Sequence, residues 1–334
     1  MLQSEESQID ALVFEGCFLF GMHIMSDSVL SLNNVTKNYG RKVAVDAVSL
    51  AVSGGSIFGL LGPNGAGKTS TIRMITGITL PDRGSIRLFG ESQREDHQNQ
   101  IGYMPEERGL YRKLTVRNQL EYLGALKGLD SHALKAAIDY WLDRFEIRSW
   151  EKKKTSDLSK GMQQKVQFIL TLLHDPALLV LDEPLSGLDP VNAELINDVI
   201  LELRERGKTI ILSTHRMEQV ELLCDEIAMM NDGKIVLAGK VRELKARSGR
   251  KLVSMRFTGD ATFLRTYGEQ RVKILENTPN EILMEIGTSE KPGDLLKQVA
   301  EYLDIQKWEI VEPPIKELFL EAIAAKPETA TTLA

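Results

Sequence analysis

The sequence predicts an α/β domain built on a mainly parallel β-sheet, followed by a smaller α+β domain. Three observations predict it. Across residues 29–239, short β-rich runs alternate with helix-period segments, as in a parallel sheet covered by helices. One of these runs, 56–61, leads straight into a glycine-rich loop and a helical pattern. Beyond Gly249 the alternation changes to three β-rich runs, a helical run, a further strand and a last helix.

In chain order, 29–32 and 43–52 read as the first strands and 56–61 as a buried strand. Residues 177–181 and 209–213 continue the sheet, and 227–230 with 234–238 form a hairpin on Asn231-Asp232-Gly233. From 115 to 173 the pattern is helical. Leu120, Leu123 and Leu126 recur at that spacing, as do Ala133, Ala137, Tyr140 and Trp141, so a helical subdomain is inserted at about 112–173. The second domain has strands at 251–257, 272–276, 282–286 and 306–311. Its helices fall at 292–303 and after Pro313-Pro314. The expected domains are 26–248 and 249–325, between a disordered extension at 1–25 and a disordered polar tail at 326–334.

The 334 residues suffice for one large and one small domain, and 43% hydrophobic with 26% charged residues is a soluble, globular balance. A net charge of −6 argues against nucleic acid as a partner, and the basic clusters at 152–154 and 247–251 read as solvated faces. Cys17 and Cys224 read as reduced thiols, and the five histidines show no zinc spacing. No stretch reaches the ~20 apolar residues of a membrane span. The apolar segment 11–24 is too short and contains Glu15 and His23. Acidic residues precede it, unlike a signal peptide. It reads as an interfacial anchor or as an extension upstream of a functional start at Met25.

Gly62-Pro63-Asn64-Gly65-Ala66-Gly67-Lys68-Thr69 is a full P-loop between strand and helix. Its glycines let backbone N–H groups turn inward onto phosphate oxygens, and the following helix adds its positive end. Lys68 is expected at the β- and γ-phosphates of ATP and Thr69 on Mg²⁺. The apolar run 178–181 ends in Asp182 and Glu183, where α/β sheets place ligands. Asp182 is the expected Mg²⁺ holder and Glu183 the group that orients or deprotonates water.

With these residues the chain resembles the nucleotide-binding subunits of ABC transporters, over residues 29–245. The segment that sets this family apart is Leu158-Ser159-Lys160-Gly161-Met162-Gln163-Gln164, against the family's Leu-Ser-Gly-Gly-Gln. Lys160 and Met162 depart from that pattern. Ser159 is suited to cap the following helix. The resemblance implies that Ser159, Lys160 and Gly161 meet the γ-phosphate of a second subunit. Lys160 either adds charge there or faces solvent. The Lys-Gly-Met variant and the segment 313–320 are similar to exporter-type, ABC-2-class subunits with a C-terminal accessory domain.

The resemblance further implies an adenine-stacking role for Tyr39, a D-loop role for Asp189 and a γ-phosphate switch role for His215. Glu106 stands where the family has a glutamine that contacts Mg²⁺. The implied nucleotide set is therefore Tyr39, Gly62, Pro63, Asn64, Gly65, Ala66, Gly67, Lys68, Thr69 and Ser70. The catalytic set is Glu183, His215 and Lys68, and the Mg²⁺ set is Thr69, Asp182 and Glu106. The implied fold is a P-loop NTPase core of the ABC type, with an antiparallel β subdomain, an inserted helical subdomain and a small C-terminal α+β domain. The implied protein is an ATPase on the cytoplasmic face of the cell membrane. Its partners are a separate membrane permease and a second copy of itself, with no nucleic acid. A ribosome- or DNA-directed ABC ATPase, a GTPase or kinase, and a non-hydrolysing regulator compete with this. The single ATPase core, the lack of a guanine-reading Asn-Lys-x-Asp, and Glu183 argue against them in turn.

Overall fold

The computed structural model describes residues 28–107, 109–267, 271–287 and 290–324. The expected extension at 1–25, Cys17 and the tail at 326–334 lie outside them. The chain divides into two compact units, one ending at Lys240 and the other beginning at Val241.

In the first unit, β1 (Ser28–Tyr39) and β2 (Lys42–Ser53) form a long antiparallel pair, joined at the turn that holds Gly40. After β3 (Ile57–Leu61), the P-loop and α1 (Lys68–Ile75), the chain returns to β1 as β4 (Arg83–Leu88) and closes that sheet with β5 (Glu91–Ser92). Its order is β2-β1-β4-β5, an antiparallel sheet of four. Neither β4 nor β5 was expected from the sequence, because Arg83, Gly84 and Ser85 give little β signal. Strand β6 (Ile101–Met104) was not expected either, being only four residues long.

Three helices follow: α2 (Val116–Leu126), α3 (Ser131–Arg144) and α4 (Lys160–Leu172). Each begins on a hydroxyl or carboxylate cap, Thr115, Asp130 and Ser159, whose side chain accepts an otherwise unbonded N–H of the first turn. The buried stripe of α3 runs through Leu134, Ile138, Trp141 and Leu142. Ala133 and Tyr140 face outward instead, since one helix face holds the larger apolar area.

The main sheet is completed by β7 (Leu178–Asp182), α5 (Pro190–Glu205), β8 (Thr209–Thr214), α6 (Met217–Leu223), β9 (Glu226–Asn231) and β10 (Lys234–Lys240). Its order is β10-β9-β3-β8-β7-β6, parallel except for the β9–β10 hairpin. Asp232 and Gly233 both have positive φ, the two-residue turn that the Asp-Gly pair favours. Strands β3, β7 and β8 are buried at every residue, which is why they read as apolar runs rather than alternations. The two sheets share one core around Leu30, Val45, Phe58, Leu60, Ile72 and Val180. Each such side chain contributes about 1.5–3 kcal/mol on burial.

The second unit contains α7 (Val241–Arg247), β11 (Lys251–Thr258), β12 (Val272–Thr278), β13 (Glu281–Ile286), α8 (Pro292–Ala300), β14 (Asp304–Val311) and α9 (Ile315–Ala324). Its antiparallel sheet has the order β12-β13-β11-β14. Val253, Met255 and Phe257 on one face of β11 pack with Leu295 and Val299 of α8. Helix α8 stops at Ala300, short of the expected end at 303, because β14 starts at Asp304 to pair with Thr258.

Candidate functional site

The P-loop turns because two of its residues can have no side chain. Gly62 has φ +145°, and a Cβ there would lie 2.2 Å from the Met230 carbonyl oxygen. Gly67, at φ +110°, would place one 2.5 Å from the Ala44 carbonyl. Gly67 also precedes α1 without a side-chain cap, so the first N–H groups of that helix face the loop.

Lys68 is only 6% exposed. Its Nζ donates to the carbonyls of Gly62, at 2.7 Å, and Pro63, at 3.2 Å. Burial holds its pKa below the usual lysine value, against the opposing fields of Glu183, Asp182 and Glu106. Thr69 Oγ1 donates to Asp182 Oδ2 at 3.1 Å, and Ser213 Oγ donates to Asp182 Oδ1 at 2.6 Å. Parallel pairing sets this contact, since β7 and β8 run in register with Asp182 opposite Ser213.

Just past the last paired residues of β7 and β8, Glu183 meets Thr214 and His215. Glu183 Oε1 accepts the His215 backbone N–H at 3.1 Å and lies 2.7 Å from His215 Nδ1. Thr214 Oγ1 approaches Oε2 at 3.5 Å. Glu183 is buried yet has φ +51°, a left-handed conformation that costs a non-glycine residue of order 1–3 kcal/mol. The imidazole of His215 is half exposed.

Lys68, Thr69, Asp182 and Glu183 open onto a cavity of about 430 Å³, while His215, Ser213 and Thr214 stand outside its lining and reach it through the two acids. Tyr39, Asn64, Gly65, Gly67, Lys68, Thr69, Ser70, Glu106, Asp182 and Glu183 all line it. Gly62, Pro63 and Ala66 belong to the loop without lining the cavity, and the Pro63 carbonyl accepts the Ala66 N–H at 3.2 Å. Tyr39 is 44% exposed at the cavity edge, with Lys37 Nζ 5.9 Å from its ring centroid. A larger groove of about 550 Å³, with Ile78, Tyr103, Leu123, Leu126 and Gln167 among its walls, contains no P-loop residue. On β6, burial and the Asp182 carboxylate push the Tyr103 phenol up to about 12.

Ser159, Lys160, Gly161 and Asp189 do not line the cavity of their own chain. Ser159 Oγ accepts the Met162 N–H at 3.3 Å, the expected cap of α4. A Cβ on Gly161 would meet Leu188 at 3.4 Å, so this segment lies beside the Asp189 loop. Asp189 caps α5 by accepting the Asn192 N–H at 3.0 Å, and that bond holds its carboxyl below the usual range. The sequence reading missed Lys42, Ser213 and Thr214. Lys42 follows Tyr39 across the first hairpin, and the two hydroxyls come directly after the apolar run 210–212, which was the available signal.

The donor set suits Mg²⁺. Asp182 and Thr69 present hard oxygens 3.1 Å apart at the foot of the P-loop, with the other Asp182 oxygen anchored by Ser213. Among the described residues no group of three or more His, Cys, Asp or Glu side chains is arranged to hold a metal alone. Mg²⁺ does not require one, since it commonly combines one or two protein oxygens with water and substrate phosphates.

A parallel sheet with this loop, and with paired acids at the end of an adjacent strand, defines a P-loop NTPase. Residues 45–186 match the ABC transporter family, and 239–323 match the C-terminal domain of DrrA1-3-like ATP-binding proteins. The ABC transporter ATP-binding protein YhaQ of Bacillus subtilis (strain 168) is 41% identical over 297 residues, 89% of this chain and 99% of that protein. The Nod factor export ATP-binding protein I of Sinorhizobium fredii (strain NBRC 101917 / NGR234) is 39% identical over 66% of this chain and 65% of its own length. A solved ATP-binding subunit of an ABC transporter superposes with a TM-score of 0.63 at 29% identity, covering 66% of this chain and 94% of that one. The chain belongs to the family of ABC transporter ATP-binding proteins, ATPases coupled to transport. It is of the kind that carries a DrrA-like C-terminal domain.

Proposed function

We propose that this chain is the ATP-hydrolysing subunit that powers export through a separate membrane permease, with each site completed by a second copy of the chain. The observation that carries the hydrolytic reading is Glu183: buried, backbone-strained and bonded on one oxygen to His215 at 2.7 Å. The P-loop amides and Lys68 hold the β- and γ-phosphates. Glu183 accepts the proton of the attacking water, and His215 orders the carboxylate and the γ-phosphate end. Thr69 and Asp182, with Glu106 lining the same cavity, would hold Mg²⁺, which supplies charge neutralisation when bound. Tyr39 stacks on adenine.

In this reading Ser159, Lys160 and Gly161, at the capped first turn of α4 and beside the Asp189 loop, meet the phosphate of a second copy. Export is supported by the name of the Sinorhizobium relative and by the match to the DrrA-like domain. Among the described residues no helix is long and apolar enough to cross a membrane; the proposal places the permease on another chain and this chain peripherally at the cytoplasmic face. The proposed division is an ATPase domain at 26–248, with its helical part at about 112–173, and an accessory domain at 249–325.

Glu183→Gln should lower turnover by roughly 10²- to 10⁴-fold while ATP binding persists. With Mg-ATP the variant should run as a dimer on size exclusion; a monomer at saturating nucleotide would rule out completion by a second copy. Co-purification of the tagged chain from gently solubilised membranes should bring a multi-span protein in equal amount. Its clean absence would overturn the transport reading and leave the ATPase.

A further inference from the structure

Helix α4, which starts on Ser159, carries two buried glutamines one turn apart, Gln164 and Gln167, each less than 5% exposed. Residues three apart share a helix face. Gln164 Nε2 donates to the Pro184 carbonyl at 3.0 Å and reaches the Glu183 carbonyl at 3.5 Å. Gln167 Nε2 donates to the Pro105 carbonyl at 2.8 Å and reaches the Glu107 carbonyl at 3.4 Å. One amide thus grips the backbone at Glu183, and the other grips it on both sides of Glu106. Gln163, the residue before them, bonds locally, to the Thr155 and Leu158 carbonyls.

Packing alone does not account for Gln167. Its Oε1 is buried with no hydrogen-bond partner among the described residues. An apolar side chain of the same length would fill the space without leaving an unsatisfied acceptor, so the amide is retained for its donor.

We propose that Gln164 and Gln167 are positioning residues, and that through them α4 sets the Glu183 and Glu106 carboxylates together. The inference rests on the roles given above to those two acids. The helix whose first turn faces the second copy then holds both acids of its own site. A shift of α4 moves the Pro105–Glu107 and Glu183–Pro184 backbones as one, linking the phosphate of one site to the geometry of the other.

The test is a double-mutant cycle on the purified full-length chain. Gln167→Met keeps the shape and removes the donors. It should lower kcat about tenfold, the loss expected for one well-placed hydrogen bond, with KM for ATP nearly unchanged. In a Glu106→Ala background the same change should cost less than about twofold, because its target is gone. Equal losses in both backgrounds would make Gln167 a general packing residue and overturn the proposal. Hydrogen exchange provides a readout independent of hydrolysis. Gln167→Asn, which withdraws the amide by one methylene, should speed exchange in the peptide 104–110 and leave α1 unchanged. Unchanged exchange at 104–110 would equally overturn it. A fault in the reading of Glu106 itself appears separately, as full turnover in Glu106→Ala alone.

Discussion

Lys68 is a buried cation and Arg250 a partly buried one, each faced by three carboxylates, yet their hydrogen bonds go to different places. Lys68, facing Glu183, Asp182 and Glu106, donates to two backbone carbonyls of its own loop. Arg250, in the second unit, donates two bonds to Glu285, at 2.9 and 2.8 Å, and one to Glu321 at 2.5 Å, with Glu317 at 3.8 Å. Burial works against the Arg250 charge, but the Glu285 bonds and the fields of Glu321, Glu285 and Glu317 raise its pKa. Burial prevails at Lys68 and lowers its pKa. The difference separates a site from a staple. Arg250 ties β13 and α9 together with its donors used on carboxylates. The carboxylates around Lys68 are spaced by hydroxyls and backbone, a local excess of negative charge suited to a divalent cation, whose charge would in turn offset that of a phosphate chain.

Exchanging each cation for methionine tests this contrast. The largest effect belongs to Lys68→Met. Turnover should fall at least ~10²–10³-fold, as when a transition-state donor is removed, while the melting temperature holds or rises. A large drop in melting temperature would make Lys68 a staple too. Arg250→Met should do the opposite: nucleotide binding persists, and denaturant unfolding of the second unit shows a loss of about 1–3 kcal/mol. That lies below the fully buried range because Glu285, Glu317 and Glu321 are partly exposed. Wild-type unfolding curves for Arg250→Met would reduce its ion pairs to surface decoration.

Glu106→Gln should have a smaller effect and keep most of the activity, since glutamine keeps a side-chain oxygen at a position that lines the same cavity as Thr69 and Asp182. Complete loss in a turnover assay would show that the carboxylate charge itself is required. The smallest effect is on pH dependence. With its pKa lowered on folding, Lys68 binds fewer protons in the native than in the unfolded chain between that lowered value and 10.5. Stability of the nucleotide-free chain should therefore rise with pH in that window and be flat in this group below it. Lys127 and Lys165 are lowered by burial as well, so the check is the difference in slope between wild type and Lys68→Met. Equal slopes would sink the claim.

Much of the site could be read because its parts are contiguous. The P-loop spells its geometry in eight adjacent residues, and Asp182-Glu183 ends a strand that is apolar throughout. Ser159 as a cap is likewise local chemistry, a hydroxyl accepting an N–H three residues on. What escaped the sequence depends on non-local pairing. Ser213 reaches Asp182 only through the β7–β8 register, and Gln164 and Gln167 act on carbonyls 20 and 62 residues away. Carbonyls are present at every residue, so no composition or spacing marks which of them a glutamine will find.

The sequence by itself determined the phosphate loop, the acids that face it, the order of the strands and helices other than β4, β5 and β6, and the change of architecture past the hairpin at Asn231–Lys234. Those features follow from local backbone freedom and hydrophobic period. Only the tertiary structure decided which hydroxyl anchors Asp182, that His215 bonds Glu183, and that one helix holds both acid-bearing loops. These depend on the parallel register of buried strands and on where burial forces each polar atom to find its partner.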